Sequence, residues 1–203
     1  MIRYRVIARG LLLGGFVLAN GCAVQPSRPT QLLVLAPLAT APTATVARAA
    51  RPALVIGPIN LPAYSERPQV LTLHDESELL VAEAARWAEP LDKNFSRVLV
   101  ENLSRLLGTD SIATLGALQS PASLQITVEV TEFVVTDAGQ ARLTAYWRVL
   151  GNGGRQILAS HKTHYQEEAV GRDYPALVGA MSRALAALSR DLALAVEPFA
   201  DAP

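Results

Sequence analysis

Two stretches of period-two alternation constrain this chain more than anything else in it. Leu124, Ile126, Val128 and Val130 are interleaved with Gln125, Thr127 and Glu129. Leu143, Ala145, Trp147 and Val149 are interleaved with Arg142, Thr144, Tyr146 and Arg148. Successive side chains on a strand point to opposite faces, so each stretch gives one buried face and one solvated face. Asp137-Ala138-Gly139 and Gly151-Asn152-Gly153-Gly154 are turn signals placed to fold these strands and Gln156–Tyr165 into an antiparallel meander.

A sheet with one apolar face needs a covering layer. Two segments of helical period supply it. Leu91, Phe95, Val98, Leu99, Asn102, Leu103, Leu106 and Leu107 recur at steps of three and four, with Pro90 at the start and Gly108 at the stop. Tyr174, Leu177, Val178, Met181, Leu185, Leu188, Leu192 and Val196 form a second stripe, with Asp173 as N-cap and Pro198 as its end. Upstream, 53–59 reads as a strand ended by Gly57-Pro58, and 69–73 as another. Residues 79–86 read as a third strand, although Ala82, Glu83, Ala84 and Ala85 also suit a helix. The expected fold is α+β: an antiparallel sheet with two long helices packed on one face, in the order β-β-β-α-β-β-β-α.

The first 21 residues read as an export signal. Arg3, Arg5 and Arg9 precede an uncharged apolar run, and small residues lead to Gly21-Cys22. The uncharged stretch is about 13 residues, roughly 20 Å as a helix, too short for a hydrocarbon core of ~30 Å. Leu18-Ala19-Asn20-Gly21-Cys22 resembles a bacterial lipobox, although Ala19 and Asn20 depart from the usual pattern. That resemblance makes Cys22 the lipidated residue. Cys22 is the one cysteine, so no disulfide framework and no Cys-rich metal site can form. Ala23, rather than Asp, follows it, which under the sorting rule of enteric lipoproteins directs the protein to the outer membrane. Residues 22–52, rich in Ala, Thr and Pro, read as a tether with a possible first strand at 31–36. The globular domain spans 53–199, and 200–203 form a tail.

Charge narrows the partners. There are 18 basic and 18 acidic residues. Cleavage of the signal would remove three of the basic ones and no acidic one, leaving a mildly acidic chain. Nucleic acid is therefore excluded as a partner, since no basic stripe is present to neutralise phosphates. Catalytic and metal sites are also absent from the pattern. His161 and His164, three apart on a strand, point to opposite faces. Asp75-Glu76 and Glu167-Glu168 read as solvated turn charges, and no Gly-rich phosphate loop joins a strand to a helix.

Two clusters stand out. Gly57-Pro58-Ile59-Asn60-Leu61-Pro62-Ala63-Tyr64-Ser65-Glu66-Arg67-Pro68-Gln69 packs three prolines and a Tyr–Arg pair into a short connection. Such a loop is stiff and loses little entropy on docking, and Tyr and Arg dominate interface hot spots. The second cluster is Arg86-Trp87-Ala88-Glu89-Pro90-Leu91. Each also has a plain structural reading, as a rigid turn and as a core Trp at a helix start.

These clusters, Asn94, Arg97-Val98-Leu99, Asn102-Leu103 and Leu106-Leu107, and the terminal Asp173-Tyr174 with Ala176-Leu177-Val178, Ala180 and Ser182, resemble the PqiC-type family of ABC-transporter auxiliary lipoproteins. The resemblance spans most of 32–196 in order. It implies a non-enzymatic, periplasm-facing outer-membrane lipoprotein of a lipid-transport and envelope-integrity system, docking a periplasm-spanning MCE-domain protein and assembling as a homo-oligomer, in ring form. It carries no cofactor beyond the lipid on Cys22. The residues expected to bind the partner are Pro62, Tyr64, Arg67, Gln69, Trp87 and Glu89. The alternative is a periplasmic lipid-binding carrier.

Overall fold

The computed structural model describes residues 29–39, 53–114 and 124–200. The signal, Cys22 and the tail fall outside them, as does most of the tether. Within them are eight strands, β1 (Gln31–Leu33), β2 (Leu54–Asn60), β3 (Gln69–His74), β4 (Glu78–Trp87), β5 (Ile112–Thr114), β6 (Leu124–Thr136), β7 (Gln140–Gly151) and β8 (Gln156–Glu168). Two helices, α1 (Leu91–Leu107) and α2 (Tyr174–Ala200), and a short 3-10 turn at Ala63–Glu66 complete the set.

The meander forms as the alternation requires. β6, β7 and β8 pair antiparallel in sequence order. The inward-facing Ile126, Val130, Leu143, Ala145 and Val149 are buried with the helix stripes in one core. Both helices lie on one face: α2 runs over β6, β7 and β8, and α1 packs beside it above β2.

Four expectations need correction. The sheet is mixed rather than antiparallel. β1 pairs parallel with β4, β2 with β5 and β6, and β3 with β6. The cause is the crossover: the chain regains the edge of β2 only after α1, so β5 and β6 enter beside β2 in its own direction. β1 stands where a possible first strand was expected at 31–36, and the short β5 is an addition, giving the order β-β-β-β-α-β-β-β-β-α. Pro58 does not end its strand; the Gly57–Pro58 peptide is cis, and the register with β6 shifts between Ile56 and Ile59 as β2 continues to Asn60. Pro198 lies inside α2, near the last turn, where few intrahelical hydrogen bonds remain to be broken. The ambiguous 79–86 segment is strand, because β3 and β1 flank it.

Candidate functional site

A segment inside the stretch read as a tether, residues 31–38, is bound into the helix layer. Leu35 is 1% exposed. Its N–H donates to Asn94 Oδ1 at 2.6 Å. The Ala36 N–H donates to Ser182 Oγ at 3.0 Å, and the Leu38 N–H to Asn102 Oδ1 at 2.8 Å. Arg105 donates to the Leu38 carbonyl. Residues 31–38 thus form a strap: β1 lies along β4, and the next residues are gripped by side chains of both helices.

The grip is built from polar groups on otherwise apolar stripes. Asn94 and Asn102 are eight apart on the buried face of α1, and both are fully buried. A buried amide without partners costs about 1–3 kcal/mol, so each needs a complete set. Asn102 Nδ2 donates to Ser189 Oγ at 3.0 Å, and the Ser189 hydroxyl donates to the Leu185 carbonyl. The Ser182 hydroxyl donates to the Val178 carbonyl. Asn94 Nδ2 donates to Glu89 Oε1 at 2.7 Å, and Arg97 donates to the same oxygen at 2.6 Å. Glu89, expected as a docking residue, therefore orients the amide that holds Leu35.

The two Pro/aromatic clusters meet. Tyr64, Ser65, Arg67, Gln69, Trp87 and Leu91 surround one small cavity of about 10 Å³, too small for a ligand. The Trp87 N–H donates to the Pro68 carbonyl at 2.8 Å, and the Ala88 N–H to the Leu33 carbonyl at 2.9 Å. The second cluster is therefore fastened between the first cluster and the strap. Pro62 accepts from the Ser65 N–H and opens the 3-10 turn.

Tyr64 has an architectural task. β2 follows β6 as far as Glu129, and β3 joins the same edge only at Val135. Between them β6 is bulged near Thr131. The Phe133 N–H exposed in that gap donates to the Tyr64 hydroxyl at 2.9 Å. Burial pushes the Tyr64 phenol up from its ordinary value, outweighing this bond, so it stays neutral. Arg67 is exposed and makes no side-chain hydrogen bond or ion pair with another described residue. Of the six expected docking residues, Arg67 is the one that presents a free charge to solvent, while Trp87 is core.

Sequence reading missed Asn94, Asn102, Ser182 and Ser189 as a set. The signal was available: polar residues with small side chains on helical stripes that are otherwise Leu, Val and Phe. What it could not supply was the segment they hold.

An open groove of about 850 Å³ lies between β2 and α1. Ile56, Pro58, Ile59 and Val100 give it apolar walls, and Asp92, Lys93, Arg97, Glu101 and Asp110 a charged rim. Among the described residues no group of three or more His, Cys, Asp or Glu could hold a metal, and no helix is long and apolar enough to cross a membrane.

Comparison with known proteins agrees with this architecture. The family model of the ABC-type transport auxiliary lipoprotein component matches residues 34–193. A crystal structure of an uncharacterized protein superposes with a TM-score of 0.68 at 18% identity, covering 83% of this chain and 99% of the other. Protein XCC0632 from Xanthomonas campestris superposes with a TM-score of 0.60 at 16% identity, covering 84% and 96%. At these identities the likeness is one of fold. No curated protein matches the sequence.

Proposed function

We propose, for a chain that belongs to the ABC-type transport auxiliary lipoprotein family, that it is a non-enzymatic docking subunit, anchored by lipid on Cys22 in the outer membrane and facing the periplasm. Residues 1–21 are its cleaved signal, 22–52 its tether. The partner is the MCE-domain protein that spans the periplasm, met by an oligomer of this chain. The transport role follows from the family. The observation that carries the anchoring is the strap. A segment that leads directly from the proposed lipid site is hydrogen-bonded into the middle of the helix layer by three buried side chains, so a load on the anchor passes to the core rather than to a loose terminus. Arg67, exposed within the rigid 62–69 connection, is the proposed contact residue that remains accessible.

Co-purification from solubilised envelope tests the partner. An MCE-type protein should elute with the wild type and be lost several-fold from Arg67→Glu, with the variant's unfolding curve unchanged. Elution without any MCE-type protein, or equal recovery with Arg67→Glu, contradicts the docking reading.

The groove of about 850 Å³ beside β2 favours one second reading, a lipid carrier, since its volume is that of a ligand site. Native mass spectrometry of protein released from membranes separates the two: a bound lipid supports the carrier, and its absence the docking subunit.

A further inference from the structure

The described strands give the domain two ends. At one, the turns β3–β4, β6–β7 and the loop from β8 to α2 are bound together. The Asp137 N–H donates to the Leu73 carbonyl, the Ala169 N–H to the Gly139 carbonyl, and Arg172 to the Asp137 carbonyl at 2.7 Å. His74 meets Asp137 at 2.6 Å, and Arg142 holds Glu76 through two bonds of 2.7 and 2.8 Å. At the other end are the β7–β8 turn and the starts of β2 and β6. The length of β7, 12 residues, separates the ends by about 40 Å.

The strap has a direction with respect to these ends. β1 is parallel to β4, with Gln31 opposite Ala85 and Leu33 opposite Trp87. β4 starts at the bound turns, at Glu78 opposite His74. Followed backwards from Leu33 to Gln31, the chain therefore heads toward those turns. The remaining distance is set by β3, six residues from Gln69 to His74, or about 20 Å. Nine residue steps separate Gln31 from Cys22 and span at most about 30 Å. Fully extended in that direction, this length would reach at most about 10 Å past the turns. To bring the β7–β8 turn to the same membrane, the segment would have to reverse across the sheet.

The surface at this end is compatible with contact at a bilayer. Val170 is 89% exposed, the most exposed of the large apolar residues among those described. Of the acidic residues at this end, Glu76 pairs with Arg142, Glu167 with Arg183, and Asp137 and Asp75 with His74, while Glu168 accepts from Gln140 and Asp173 from the Ala176 N–H. Two or more acyl chains anchor stably, so no basic patch is required.

We infer that the end built from residues 74–77, 137–139 and 169–173 faces the lipid surface, with Val170 at the contact, and that the β7–β8 turn points away from it into the periplasm. This orientation rests on lipidation at Cys22. Because lipid would occupy the one native thiol, a single introduced cysteine can be labelled alone. The full lipoprotein, carrying Ala138→Cys or Arg155→Cys with a thiol-reactive fluorophore, is reconstituted into phosphatidylethanolamine–phosphatidylglycerol vesicles containing headgroup-spin-labelled lipid. Both positions are exposed turns. The label at 138 is expected to be quenched at least threefold more than the label at 155, and Val170→Asp to reduce that ratio. Equal quenching, or stronger quenching at 155, in protein that floats with the vesicles overturns the orientation alone. Failure to float overturns the anchor, and the orientation with it.

Discussion

Asn94 holds two parts of the molecule at once. Its carbonyl oxygen takes the Leu35 N–H, and its amide nitrogen gives to Glu89. Replacing it with Ala leaves that backbone N–H buried and unpaired, at a cost of about 1–3 kcal/mol; a urea titration of Asn94→Ala should show the loss. Asn94→Asp is expected to be as harmful, because it sets a second carboxylate against Glu89. Tyr64→Phe removes the acceptor for Phe133 N–H, and a loss of about 1–2 kcal/mol in the same measurement is expected. At the turns, the bond to Asp137, and then the charge of Asp75, raise His74 above its ordinary 6.5. The bond to His74 holds Asp137 below its ordinary 3.8. The His74 contribution is complete below 6.5 and lost as pH rises through its folded value. The Asp137 contribution is complete above 3.8 and lost as pH falls through its folded value. The pair is therefore strongest between those limits. An NMR titration should place His74 above 6.5, with Asp137→Asn moving it back down; a wild-type value at or below 6.5 contradicts the pairing.

Among the elements, the strap is the most consequential. Leu35 alone, fully buried, contributes about 1.5–3 kcal/mol, and the three clamps add to it. A chain beginning at Thr40, which lacks the whole strap, should lose several kcal/mol and gain protease sensitivity near α1; an unchanged urea midpoint would remove the strap from the core. The sequence made the meander and both helices legible, because alternation at 124–130 and 143–149 and the stripes of α1 and α2 are local patterns. It did not make the mixed topology legible. The direction in which β2 meets β6 is fixed by the crossover through α1, which no local period records. β5 was too short to show a period, and Pro58 reads as a stop although the strand runs through it. The site was legible in part. The clusters around Tyr64 and Trp87 were singled out, but the same residue types that make interface anchors also make rigid internal joints, and only the neighbours distinguish the two. Glu89 was singled out as a docking residue, and its carboxylate takes hydrogen bonds from Asn94 and Arg97, a role that no local pattern records.

For the molecule as a whole, the strap is the part on which the proposed anchoring rests. Among the described residues, the domain presents a helix layer that receives the strap, a sheet face opposite the helices, and a set of bound turns from whose direction the strap enters. On the proposed reading, lipid on Cys22 would hold the chain and the strap the domain, leaving an exposed surface that includes Arg67 for a partner. Cys22→Ala should release the protein from membranes while leaving its urea midpoint unchanged, since Cys22 lies seven residues before the first described position. The most direct test is the intact mass of the protein extracted from the envelope. A polypeptide that begins at Cys22 and carries the added mass of a diacylglycerol thioether is the expected result. An unmodified polypeptide, or one that begins elsewhere, contradicts the account.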